Sequence, residues 1–320
     1  MNNLQSASKD FLNYCQFEKG LNAKTIKAYK IDLNQLISFC TSKNYTIGLN
    51  CITKMELRSF LESISSLKPK TIKRKIATIK SLFNFLEFDD KILSNPFRKM
   101  KIRIKEPRTL PKVMNIVEIK SILKTVYTKL EYIKNRNSYS YLEAIRNIVL
   151  VEMLFATGAR VSEIADLKTN NINLSNGSVL IKGKGNKERM VQVCNKETLH
   201  ILKLYAQLKK QNLLKGNDYF LVNRLGNKIS DQSIRNVIKN ISKESGLLKN
   251  VTPHIFRHSF ATLLLEKDVD IKYIQLLLGH SSIMTTQIYT HVNQQKQRQL
   301  LKTKHPRKDI LMKNFLVMNE

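Results

Sequence analysis

The sequence predicts a mainly α-helical protein with a small antiparallel β-sheet, an α+β arrangement in two domains with the sheet in the second. Three observations predict it. Apolar residues recur at helical spacing through the first hundred positions. A basic stretch broken by Pro96, Pro107 and Pro111 then interrupts the pattern. Finally, an alternating segment, Ser178 to Val193, flanks a glycine-rich turn and reads as a β-hairpin.

The elements follow in order. A helix from Ala23 to Cys40 turns Ile26, Tyr29, Leu33, Leu36 and Ile37 inward and leaves Lys24, Lys27 and Lys30 outside. Thr53 is a good N-cap for the next helix, Met55 to Ile64. Pro69 marks the entry to a third, whose stripe is Ile72, Ile76, Ile79, Phe83 and Leu86, with Lys70, Lys73, Arg74 and Lys80 off the stripe or at its edge. These cations either form a solvated helix face or touch a polyanion. Residues 1–98 make a helical domain, and 99–111, with Lys99 and Lys101, a linker. Residues 112–294 are a second domain, and 295–320 a tail. Within the second domain, Asn115 caps a helix through Leu123, and a polar segment runs from Lys124 to Tyr141. A buried helix then covers Ile145 to Phe155 and stops at Thr157-Gly158.

Composition narrows the class of partner. The 320 residues carry 55 Lys and Arg against 25 Asp and Glu, a formal charge of +30. Residues 1–105 hold 20 basic and 8 acidic side chains, and the remainder 35 and 17. Two basic halves suit a clamp that encloses a polyanion from both sides, since neutralising phosphates drives sequence-independent binding. The plainer alternative is a generally basic or ribosome-associated protein. An apolar fraction of 42% is enough for real cores. No run approaches the ~18 apolar residues of a membrane span, and Met1 to Lys9 has no signal-peptide character, so a cytoplasmic address is expected. Cys15, Cys40, Cys51 and Cys194 lack CxxC spacing or a histidine cluster, so neither zinc nor a disulfide framework is supported.

Five features of the second domain carry chemical groups. In Ala156-Thr157-Gly158-Ala159-Arg160-Val161-Ser162-Glu163, Arg160 sits in a tight helix–helix junction, and Glu163 three residues on can brace it. The pair is either structural or a planar fork for phosphate oxygens. Lys184 lies between two glycines in the hairpin, as a phosphate clamp, a general acid or an ordinary loop residue. Thr252-Pro253 opens a helix whose first turn projects His254 and Arg257 together. Asp270 caps a short helix that Gly279 ends, placing His280 on the turn beyond. Tyr289 follows nine residues later, and most such tyrosines are packing residues.

Their order decides among these readings. Arg, Lys in a hairpin, His-x-x-Arg, Gly-His and Tyr, in the segments ATGARVSE, IKGKGNKER, TPHIFRHSFAT and LGHSSIMTTQIYTHV, closely resemble the tyrosine recombinases, the phage-integrase and Xer family. LNAKTIKAYKIDL resembles that family's helical, SAM-like core-binding domain, and His305-Pro306-Arg307 resembles the Xer branch. The Lys124–Tyr141 segment and the tail beyond Arg307 are longer than the usual Xer pattern.

The resemblance implies that Tyr289 attacks a DNA phosphodiester, forming a 3′-phosphotyrosyl link and freeing a 5′-hydroxyl. Arg160 and Arg257 would offset the charge at phosphorus, with a hydrogen bond from His280. His254 would accept the phenol proton, Lys184 would protonate the departing oxygen, and Glu163 would orient Arg160. Lys24, Lys27, Lys70, Lys73, Arg74, Lys99, Lys101, Lys187 and Arg189 are the expected DNA contacts. No metal and no cofactor are implied. The partners implied are a double-stranded DNA site and further subunits, a dimer per site and a tetramer in the synapse, or a paired paralogue. The tail, with Leu300, Leu301, Ile310, Leu311, Phe315 and Leu316, would dock on a neighbouring subunit.

Ala23 arrives too early to leave room for an arm-type domain, which favours Xer-type chromosome dimer resolution on the nucleoid, with a septal DNA translocase of the FtsK type as partner. The alternatives are a mobile-element integrase or invertase, a type IB topoisomerase-like enzyme, and a non-catalytic DNA-binding protein.

Overall fold

The computed structural model describes residues 3–46, 48–107, 112–183, 187–211, 218–279 and 293–310, with backbone alone at 293–297. The chain divides into two units, Met1–Thr109 and Leu110–Glu320.

The first unit is mainly helical among its described residues. It comprises α1 (Leu4–Phe17), α2 (Ala23–Ser42), α3 (Lys54–Ser63) and α4 (Pro69–Phe88), with a short 3-10 turn at Pro96–Lys99. Pro69 occupies the first turn of α4, where a missing N–H costs nothing. Thr53 and Glu56 close a reciprocal capping box on α3. Phe11, Leu33, Leu36, Phe60, Ile79, Phe83 and Leu86 are almost completely buried together. One carboxylate lies among them. Asp32, fully buried on α2, accepts from Lys75 Nζ at 2.9 Å and Thr78 Oγ1 at 3.1 Å, and pairs with the half-exposed Arg74. The basic stretch after α4 keeps contact with this unit: Phe97 is buried, Arg98 pairs with Glu87 at 2.7 Å and Lys73 with Glu106 at 3.2 Å.

The second unit is built around α6 (Tyr139–Thr157), in which every residue from Ile148 to Thr157 is buried. Packed round it are α5 (Ile116–Glu131), α8 (Lys196–Gln211) and α10 (Pro253–Leu265), with α7 (Val161–Ala165), α9 (Asp231–Glu244), α11 (Ile271–Leu278) and α12 (Asn293–Lys304) the other α-helices among the described residues. A three-stranded antiparallel meander joins β1 (Ile172–Asn173), β2 (Ser178–Lys182) and β3 (Glu188–Gln192). Val179 pairs with Val191 and Ile181 with Arg189, which turns Val179, Ile181 and Val191 into the core.

One expectation changes. The segment from Lys124 does not leave the helix: α5 continues to Glu131 because Val126 and Tyr127 extend the stripe of Ile119, Ile122 and Leu123 onto the core. The described part of the tail, up to Ile310, packs on its own unit. Leu301 and Ile310 are buried, and Arg307, fully enclosed, donates to Glu152 of α6 at 2.8 and 2.9 Å and to Glu197 at 3.0 Å. Leu311, Phe315 and Leu316 lie outside the described residues.

Candidate active site

The junction after α6 sets the geometry. Gly158 ends that helix with φ +59°, and a Cβ there would stand 2.6 Å from Phe260 and 2.9 Å from Leu278, so glycine alone fits. The chain turns at once into α7 with Arg160 as its N-cap residue. Glu163, nearly buried, accepts the Arg160 backbone N–H at 2.8 Å on Oε2 and the Arg160 guanidinium at 2.7 Å on Oε1. The bracing expected from the i, i+3 spacing is present.

Arg189, expected among the DNA contacts, is engaged within the cluster. From β3 it donates to both oxygens of Glu163, at 3.1 and 2.7 Å, and its Nε donates to the Leu277 carbonyl at 2.8 Å. Its side chain is 11% exposed, because the β3 register turns it toward α7 and α11. Burial pushes the Glu163 carboxyl up, and the bonds and charge of Arg189, with those of Arg160, more than reverse this and hold it below the usual carboxylate value.

Arg257 comes in from α10 and is also buried. Its Nη1 donates to the Gly158 carbonyl at 2.9 Å and its Nη2 to the Leu278 carbonyl at 2.7 Å. The guanidinium plane is thus fixed by two helix ends and by no carboxylate. Burial, and then repulsion from Arg160, push it down to about 10, still charged at neutral pH. His254, one turn earlier, is held below the ordinary imidazole value by burial, and then by the charges of His258, Arg257, Arg235 and Arg160. Arg235, on α9, is a neighbour that no sequence signal gave away. Thr252 holds the N-cap position of α10 but makes no capping bond with its side chain.

Lys184, His280 and Tyr289 lie outside the described residues. The residues preceding two of them do reach the cluster. A Cβ on Gly183 would lie 3.4 Å from Glu163 Oε1. Gly279 ends α11 at φ +64°, and a Cβ there would stand 3.2 Å from the Arg189 side chain. Of the other expected DNA contacts, Lys24, Lys27, Lys70, Lys73, Arg74, Lys99, Lys101 and Lys187 are all exposed, with Lys73 and Arg74 engaged in the ion pairs above.

Three guanidiniums therefore surround one carboxylate, and the most buried of them, Arg257, bonds only carbonyls. Such a surplus of fixed positive charge is suited to an anion with several oxygens, such as a phosphate diester. Fold and site together give a mainly helical domain with a small sheet and a buried arginine cluster suited to an anion, joined to a second helical unit.

Comparison with known proteins places that class. The profile of the Phage integrase family matches residues 113–296, and that of the Phage integrase, N-terminal SAM-like domain matches residues 9–88. A tyrosine recombinase of Agathobacter rectalis is 44% identical over 311 residues, 97% of this chain and 99% of that one. Tyrosine recombinase XerD of Listeria innocua is 33% identical, covering 93% of this chain and 98% of its own. The solved structure of the XerH site-specific recombinase, bound to its palindromic difH substrate after cleavage, superposes with a TM-score of 0.66 at 25% identity, over 91% of this chain and 83% of that one. The chain belongs to the phage integrase family, the tyrosine recombinases, enzymes that cleave and rejoin DNA.

Proposed function

We propose that this chain is an Xer-type site-specific recombinase in which Tyr289 is the nucleophile. The observation that carries the reading is the pairing of Arg160 with Arg257: two fixed guanidiniums that repel one another beside a single, fully engaged carboxylate. A scissile phosphate would relieve that repulsion, and the further negative charge at five-coordinate phosphorus would relieve it more. The cluster therefore favours the transition state over the ground state.

In this reaction the Tyr289 oxygen bonds to phosphorus and the bond from phosphorus to the 5′-oxygen breaks. The phenol proton passes to His254, whose depressed basicity keeps it neutral and able to accept at neutral pH. Lys184 supplies a proton to the departing oxygen, and His280 donates to a non-bridging oxygen. Attack by the 5′-hydroxyl of a partner strand reverses these steps. Residues 1–98 are the core-binding domain and residues 112–294 the catalytic domain. Lys24, Lys27, Lys70, Lys73, Arg74, Lys99, Lys101 and Lys187 contact phosphates.

Similarity to XerD over 93% of the chain supports chromosome dimer resolution as the role. That role implies a tetrameric synapse on the nucleoid and control by an FtsK-type translocase. Formation of strand-exchanged products, rather than relaxed supercoils alone, separates it from nicking-closing chemistry.

A nicked suicide duplex bearing the target site tests the chemistry. The wild type accumulates a covalent protein–DNA adduct, and Tyr289→Phe binds the duplex with unchanged affinity but forms none. An adduct from that variant would remove Tyr289 from its role. Sequencing the DNA trapped on the wild type identifies the site.

A further inference from the structure

We infer that Arg189 is a positioning residue for strand cleavage, tying together the three segments that carry or precede Arg160, Lys184 and His280. The inference rests on the proposed cleavage reaction and adds a residue to it.

The argument is geometric. Arg189 belongs to β3, whose partner β2 leads through Gly183 to Lys184. One edge of its guanidinium takes both oxygens of Glu163, the carboxylate that holds the Arg160 backbone and side chain. Its Nε takes the Leu277 carbonyl, at the end of the helix that leads to His280. Its stem lies beside Gly279, where a Cβ would stand 3.2 Å from it. One planar side chain thus fixes the separation between a strand, the N-terminus of α7 and the C-terminus of α11. Lysine has one donor nitrogen and no fork, and cannot span these acceptors. With both carboxylate oxygens occupied, Glu163 holds Arg160 in one orientation.

Misplacing a charge-stabilising group by about an ångström costs as much as ~100-fold in rate. Arg189→Ala and Arg189→Lys are therefore expected to slow single-turnover adduct formation on the suicide duplex by about 10- to 100-fold, with DNA affinity and its salt dependence unchanged. The discriminating readout is a duplex whose scissile phosphate is replaced by a methylphosphonate. That linkage is neutral before attack and gains only one negative charge at five-coordinate phosphorus, so Arg160 has less charge to offset and the ratio of wild-type to variant rates should fall well below its value on the phosphate substrate. Damage to the fold alone lowers the active fraction on both substrates equally and leaves the ratio unchanged, which overturns the inference. A variant whose affinity falls in step with its rate, with a shallower salt dependence, makes Arg189 a phosphate contact and also overturns it. So does full activity in Arg189→Lys, which keeps the charge but not the fork. Absence of any adduct from the wild type would instead refute the reaction proposed for Tyr289.

Discussion

Two arginines of the second unit are buried within the same fold and face opposite surroundings. Arg307 is enclosed by carboxylates. Burial pushes its basicity down, but the charge and hydrogen bonds of Glu152, then Tyr127 and Glu197, more than reverse this and hold it above the ordinary guanidinium value. Arg257 bonds two carbonyls and no carboxylate; burial, then the charges of Arg160 and Arg189, depress it, and Glu163, already shared by those two arginines, offsets this only in part. The difference separates an arginine that completes a fold from one whose counterion is still to arrive. A buried cation matched by carboxylates within the chain stabilises the chain. One left short of negative charge places its interaction energy at the disposal of a ligand.

Replacing each arginine tests that contrast. Arg307→Met leaves Glu152 and Glu197 facing one another without a cation, in a site where Glu152 is fully buried. Denaturant titration should show a loss of about 3–5 kcal/mol, partly restored by adding Glu152→Gln. An Arg307→Met protein of unchanged stability that no longer cleaved DNA would break the contrast from one side. Arg257→Lys keeps the charge but loses the fork held by Gly158 and Leu278. It should slow adduct formation by about 100- to 1,000-fold while costing less stability than Arg307→Met, because it strands no buried carboxylate. A larger stability loss in Arg257→Lys would break the contrast from the other side.

The same contrast explains what could be read from sequence. Helical spacing placed α2, α3, α4 and α10 within a few residues, since one buried stripe suffices to define each. The N-terminal half of α7 was legible because Arg160 and Glu163 are local, three residues apart. Arg189 was not, since its partners lie 26 and 88 positions away, and a basic residue beside a glycine-rich turn looks like any exposed cation. Nor was the continuation of α5 past Leu123, where Val126 and Tyr127 are outnumbered by polar neighbours and only packing reveals the stripe. A usable sign does lie in α6. Glu152, alone among the apolar residues 148–156, requires a buried cation, and Arg307 in the tail supplies it.

A smaller test reads the tail directly through pH. His305 caps the 3-10 turn Pro306–Asp309, its Nδ1 accepting the Arg307 N–H at 2.9 Å between the rings of Phe155 and Phe260. Burial pushes this imidazole down to about 4 from an ordinary 6.5. The folded chain therefore holds it neutral where the unfolded chain protonates it. Its contribution is complete above pH 6.5, falls as pH drops from there to about 4, and is then exhausted, amounting to about 3 kcal/mol at most. In His305→Asn the side-chain oxygen would still cap the turn, but the asparagine has no proton to take up. Unfolding followed by hydrogen exchange in α6 should show the wild type weakening across that interval and His305→Asn weakening less. Parallel curves for the two proteins would mean that the cap at His305 does not hold its neutral form, and that the carboxylate–arginine lock at Glu152 acts without it.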